Sequence, residues 1–208
     1  VINAVIGPVY IGKGATVMDG AIIRGPLALC EGAVLKAGAK IYGATTLGPY
    51  CSGGGEIKNS VLQNYSNKAH DGYLGDSVIG SWCNLGAGTT NSNLKNTAGD
   101  IYMPANTKKE KINAGNKCGV IMGDYTRTAI NSSINTGSIY GVCSNVFGEG
   151  LLPAEIESFI WGNKSDAVYQ LDKALEDIAR WKKLKNKSLS ENEAAVLKHL
   201  FLLVLQQI

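Results

Sequence analysis

Every sixth residue from Val5 to Leu47 is aliphatic: Val5, Ile11, Val17, Ile23, Leu29, Leu35, Ile41 and Leu47. No other feature constrains the fold as tightly. A period of six matches neither the 3.6 of a helix nor the simple alternation of a strand. Two positions earlier stand small or aliphatic residues in most cases: Val9, Ala15, Ala21, Leu27, Ala33, Ala39 and Thr45. The pattern fits a solenoid of short strands, with one inward aliphatic side chain per strand and a turn at each corner. Glycine suits such corners because some need positive φ or close backbone approach. The chain has 26 glycines in 208 residues, and all but Gly162 precede residue 151.

The period breaks twice. At 49–56, Cys51, Ser52, Gly53, Gly54 and Gly55 read as an inserted loop; at 91–117 a polar stretch carries Lys108, Lys109, Glu110 and Lys111. It resumes at Leu62, Leu74, Ile79 and Leu85 between the breaks, and at Met122, Thr128, Ile134, Tyr140 and Val146 after them. Insertions in a solenoid project from one side and often build a site. After residue 162 the spacing turns helical, with Val168, Leu171, Leu175, Ile178 and Trp181 on one side and Ser165 as the expected N-cap. A second helix opens on a capping-box pattern at Ser190 and Glu193. It ends in six apolar residues at 200–205, which are expected to be buried by a partner chain or a missing domain. The expected organisation is therefore a solenoid over 1–162, interrupted near 49–56 and 91–117, and a helical appendage over 163–208.

Several classes fall away. No run of about 18 apolar residues suggests a membrane partner. A scattered net charge of +3 gives no basis for nucleic-acid binding. Five dispersed cysteines without a CxxC pair read as reduced, mostly buried thiols of a cytoplasmic protein. The chain opens on Val1, already in register by Val5, which fits a piece that follows an N-terminal catalytic domain.

Only two histidines occur. His199 lies in the helical tail and reads as a surface or packing residue. His70 lies in the run Lys68, Ala69, His70, Asp71, Gly72, Tyr73, Leu74, Gly75, Asp76, followed by Ile79, Gly80, Asn84, Leu85, Gly86, Ala87, Gly88 and Thr89. A lone histidine in a solenoid is ordinarily a satisfied corner residue. This run, however, resembles the acetyltransferase domain of the bifunctional N-acetylglucosamine-1-phosphate uridyltransferase and glucosamine-1-phosphate acetyltransferase family. The resemblance implies a left-handed parallel β-helix, a homotrimer and acetyl-CoA as co-substrate. It implies no metal for acetyl transfer, and Mg²⁺ only in a missing N-terminal domain.

The resemblance also implies roles. His70 is the base that takes the proton of the attacking amine, work suited to a group titrating near neutrality. Lys58, Tyr73 and Lys36 would bind the phosphate of a small-molecule sugar phosphate, and Asn84 and Asn93 the sugar. Lys36 stands where the family has arginine, so the charge is kept and the bidentate geometry lost; Leu94 stands where the family has tyrosine. Ala87, Asp124 and Val142 fall at acetyl-CoA contact positions; Lys182, Lys183 and Lys185 read first as a solvated helix end, with CoA phosphates in a neighbouring subunit as the lesser alternative. Gly86, Ala87 and Gly88 are the backbone candidates for an oxyanion hole. Two rivals remain open: a hexapeptide acetyltransferase acting on another acceptor, and a non-catalytic trimerising or regulatory domain. A metal enzyme of the γ-carbonic-anhydrase type needs about three histidine ligands, and the repeat has one.

Overall fold

The computed structural model describes residues 1–104, 110–164 and 167–206, so Lys108, Lys109 and Ser165 lie outside the described residues. The chain is a left-handed parallel β-helix of about eight turns with two helices at its end. Three parallel faces wrap the core. The first stacks Ile2–Asn3, Ile22–Arg24, Lys40–Tyr42, Glu56–Lys58 and Tyr73–Gly75. The second stacks Val9–Ile11, Leu27–Leu29, Thr45–Leu47, Val61–Leu62, Val78–Ile79, Val120–Met122, Ser138–Tyr140 and Glu155–Ile156. The third stacks Thr16–Val17, Val34–Leu35, Ser52–Gly53, Asn67–Lys68, Asn84–Leu85, Arg127–Thr128 and Asn145–Val146.

The inward columns explain the period. Ile23, Ile41, Ile57 and Leu74 fill the first face, and Leu29, Leu47, Leu62, Ile79, Met122 and Tyr140 the second, all buried. The repeat residues Val5 and Ile11 are exposed instead, because no further coil packs beneath them.

Register decides what the two breaks are. Leu29 pairs with Leu47 eighteen residues on, but Leu47 pairs with Leu62 only fifteen on and Leu62 with Ile79 seventeen on. The stretch at 49–56 is thus no inserted loop. Cys51 is buried, Ser52–Gly53 pairs within the third face, and the coil has lost three residues. Two of the three are missing where the third face turns into the first: residues 36–39, 69–72 and 86–89 make this corner in neighbouring coils, and Gly54 and Gly55 alone make it here. The second break does add chain. Ile79 pairs with Met122, 43 residues on, and the excess includes an antiparallel hairpin of Tyr102–Pro104 with Lys111–Asn113. Where this excursion leaves the coil, the Asn91 side chain pairs with the Gly75 backbone, accepting from its N–H at 2.8 Å and donating to its carbonyl at 3.0 Å.

The corner between the second and third faces carries bulky residues in the left-handed conformation: Tyr50, Tyr65, Trp82, Tyr125, Cys143 and Phe159, at φ 58–63°. Tyr50 stacks on Tyr65 at 4.9 Å and Tyr65 on Trp82 at 4.2 Å. The helices α1 (Leu171–Lys183) and α2 (Glu191–Leu205) pack on this corner through Ala174, Ile178 and Leu197. Helix α1 starts later than the expected Ser165, because Val168 first forms an antiparallel bridge with Ile160. The capping box of α2 forms as its sequence predicts. Of the apolar run at 200–205, Leu200, Phe201 and Val204 pack against the corner cluster, while Leu202, Leu203 and Leu205 stay exposed. Half of that run is therefore covered within the chain itself.

Candidate functional site

The shortened coil makes a recess. Above it the 69–72 corner projects with His70, and below it the 36–39 corner projects; Gly54 and Gly55 lie set back between them. No side chain fits there. A Cβ on Gly54 would stand 2.2 Å from the Ala69 carbonyl oxygen, and one on Gly55 2.8 Å from the carbonyl oxygens of His70 and Gly72. A cleft of about 290 Å³ results, lined by Gly38, Lys40, Gly55, Glu56, Asp71, Gly72 and Tyr73. His70 is exposed at its edge.

The outer surface of the first face adjoins this cleft. Strand alternation turns Glu56, Lys58 and Tyr73 outward while Ile57 and Leu74 point in. The Tyr42 hydroxyl donates to Glu56, and that bond pushes the phenol up to about 12. Lys58 Nζ lies 5.8 Å from the centre of the Tyr42 ring. Asn93 donates to the Tyr73 hydroxyl at 3.0 Å and to Asp76. Asp76 also accepts from Asn59 at 2.6 Å. Burial, then Asp76 and Glu56, raise the Tyr73 phenol, so it stays protonated and polar at neutral pH. Lys58, Tyr73 and Asn93 are thus brought together on the first face, the Tyr73 ring lying over Gly75 toward Asp76 and so away from the His70 corner, and they are joined by Tyr42, Glu56 and Asp76, which the sequence reading did not single out.

The remaining expected residues divide. Ala87 stacks one coil above His70 on the same corner. Lys36 borders the recess, its Cβ 3.3 Å from where a Cβ of Gly54 would be. Asn84 points outward on the third face, on the other side of the corner, where its Oδ1 accepts from Asn67 at 3.5 Å. Asp124 and Val142 lie at the opposite edge of the third face, in a cleft of about 370 Å³ under α2. Within one chain they are separated from His70 by the width of that face.

Two expectations need correction. The Gly86 and Gly88 amides are committed to the coil, donating to Thr128 O at 3.2 Å and Asp71 O at 3.1 Å. Only Ala87 of the three has an amide with no hydrogen bond among the described residues. Lys182 and Lys185 are likewise occupied. Buried Lys182 pairs with Glu193 and lies 4.9 Å from the Trp82 ring centre; Lys185 donates to Asn67 at 3.2 Å and Tyr50 O at 3.3 Å. Of the three tail lysines Lys183 is exposed.

The bifunctional protein GlmU of Methanocaldococcus jannaschii is 34% identical over 113 residues, which are 54% of this chain and 27% of that protein. A bifunctional sugar-1-phosphate nucleotidylyltransferase/acetyltransferase of Sulfurisphaera tokodaii is 36% identical over 93 residues, 44% of this chain and 23% of that protein. Over about half of its length the chain is similar to GlmU proteins. It spans about a quarter of the length of these GlmU-like relatives. No protein-family model matches. Among solved structures, the N-acyltransferase AntD of Bacillus cereus aligns with a TM-score of 0.46 at 13% identity, over 86% of this chain and 92% of that one. No helix of the described residues is long and apolar enough to cross a membrane.

Proposed function

We propose that the chain transfers acetyl from acetyl-CoA to the amine of glucosamine-1-phosphate, as the C-terminal part of a bifunctional enzyme of UDP-N-acetylglucosamine synthesis in the cytoplasm. One observation carries the reading: His70 stands exposed at a recessed corner that leads into the face bearing Lys58, Tyr73 and Asn93. A sugar phosphate in the cleft would set its phosphate against Lys58, the Tyr73 hydroxyl and Lys36. Asn93 fixes Tyr73 and meets the sugar. The amine lone pair attacks the thioester carbonyl while His70 takes its proton. The tetrahedral oxyanion forms next to the corner above, where the free Ala87 amide points to a donor. Collapse expels the CoA thiolate, which recovers the proton from the imidazolium.

The split between His70 and the Asp124 and Val142 cleft fits a homotrimer. In that arrangement the far edge of one copy's third face lies beside the His70 corner of the next, and acetyl-CoA binds between copies. Mg²⁺ belongs to the nucleotidyl half of such an enzyme and has no part in this step.

Release of free CoA thiol with glucosamine-1-phosphate as acceptor tests the reading. Wild type is expected to release thiol, and His70→Ala to lose roughly 10²–10⁴-fold in rate. No release by wild type with any acceptor favours a trimerising or regulatory domain. Release with a different acceptor alone keeps the chemistry and moves the substrate.

A further inference from the structure

Lys68 occupies an inward position. Its column on the third face runs Val17, Leu35, Gly53, Lys68, Leu85, Thr128 and Val146, and the residue is 1% exposed. A lysine in an aliphatic column is costly unless its ammonium finds partners. Here the partners are two backbone carbonyls of the recessed corner: Nζ donates to Gly54 O at 3.3 Å and to His70 O at 2.5 Å. Burial brings the ammonium down to about 8, with Asp71 at the same corner opposing.

Other four-residue corners of this stack close themselves, the one at 129–132 through the Ser132 hydroxyl, which donates to Ala129 O at 2.8 Å, and three through a backbone bond. Ala21 N–H donates to Met18 O at 3.3 Å, Ala39 N–H to Lys36 O at 3.1 Å, and Thr89 N–H to Gly86 O at 3.0 Å. The equivalent bond at the His70 corner, from Gly72 N–H to Ala69 O, is absent among the described residues. The coil beneath is short by two residues there, so its corner gives little support. Lys68 reaches across this gap from inside and joins the two coils at one nitrogen.

We infer that Lys68 is a positioning residue for His70: where the closing bond is missing, its ammonium ties the His70 carbonyl to the Gly54 carbonyl of the coil beneath from within the solenoid, and so holds the imidazole at the recess. This rests on the acetyl-transfer reading above. It also explains why an otherwise uncharged column carries a charge at the one corner that bears a candidate base.

The test compares Lys68→Met and Lys68→Gln with wild type in the full chain. Lys68→Met restores an apolar column of similar length. Both variants are expected to keep Tm at or near wild type and the KM for acetyl-CoA and for the sugar phosphate within two-fold, while kcat falls at least ten-fold; loss confined to kcat marks an interaction made for the chemical step. Backbone amide resonances of Gly55, His70 and Gly72 should shift in both variants, and those of the 127–146 coils should not. A folded variant whose kcat stays within two-fold of wild type overturns the inference, as does a loss that appears in KM. So does failure of both variants to fold, which would assign the lysine to the fold alone. A wild type without thiol release sinks the acetyl-transfer reading instead, and the amide shifts then judge whether Lys68 holds the corner.

Discussion

Two corners of the same solenoid use similar backbone and opposite side chains. At the corner between the third and first faces, the left-handed positions at Gly38, Gly55 and Gly88 are glycine, at φ 65–75°. At the corner between the second and third faces they are glycine only in the first two coils, at Gly14 and Gly32, and then Tyr50, Tyr65, Trp82, Tyr125, Cys143 and Phe159. A side chain in that conformation costs about 1–2 kcal/mol. The aromatic corner offsets the cost by stacking ring on ring and by giving α1 and α2 a surface to bury. The glycine corner does neither, and stays low and open enough for a cleft beside His70. Corner geometry therefore leaves function undecided; what stands on the corner decides between a covered ridge and an open recess.

The sharpest way to break the aromatic corner is Phe159→Ala. Phe159 is 1% exposed and meets Phe201 of α2 edge-on at 5.1 Å. Removing a buried phenyl ring costs about 3–5 kcal/mol. The loss should fall on the helices rather than the coils: protease should cut between 184 and 190 well before it cuts the solenoid. Uniform loss of the whole structure would show that the two regions form one cooperative unit.

Gly54→Ala should break the other corner, by about 1–3 kcal/mol of overpacking. Gly54 has no left-handed φ, so an alanine there is stopped by close approach and not by conformation, chiefly at the Ala69 carbonyl. Gly38→Ala is its control, since a Cβ at Gly38 meets nothing within 4 Å and carries only the left-handed cost. Thermal unfolding should rank Gly54→Ala below Gly38→Ala. The reverse order would mean that conformation, not close approach, sets the glycines of the recess.

Much of this contrast was readable in the sequence, and the unread part has physical causes. The aliphatic period located the inward columns from Ile23 to Leu47 because each buried side chain repeats at one place in the coil. The sign of the break at 49–56 was not readable: a gained and a lost residue disturb a period alike, and only strand pairing separates them. Lys68 lies six residues after Leu62 and six before Leu74, so spacing marks an inward slot while residue type marks a surface position, and the two signals conflict. The aromatic corner had a comparable signal. Tyr50, Tyr65, Trp82 and Tyr125 each follow an inward residue by three, at Leu47, Leu62, Ile79 and Met122. The position of Asp124 beside that ladder, away from His70, follows from the same count. The role of α1 and α2 did not follow, because the ridge they cover exists only once the coils are stacked.

Acid provides the gentlest probe of the covered corner. Glu193 accepts from Lys182, Ser190 and the Tyr125 hydroxyl. Burial would raise its carboxyl, but the Lys182, Ser190 and Tyr125 donors together hold it down to about 2. A carboxylate with a depressed native pKa adds stability above its unfolded value, near 4.3, and that stability is lost as pH falls from there toward 2. Protonation also removes the counter-charge of buried Lys182, which sits between Trp82 and Tyr125. Because the Glu193 side chain is 37% exposed, solvent screening limits the effect to about 1 kcal/mol, a Tm change of about 2–4 °C for a chain of this size. Tryptophan emission should report the helices loosening between pH 4.5 and 2.5, and Glu193→Gln should abolish that step. An unchanged acid step in Glu193→Gln would show that another carboxylate, and not this one, ties α2 to the aromatic ridge.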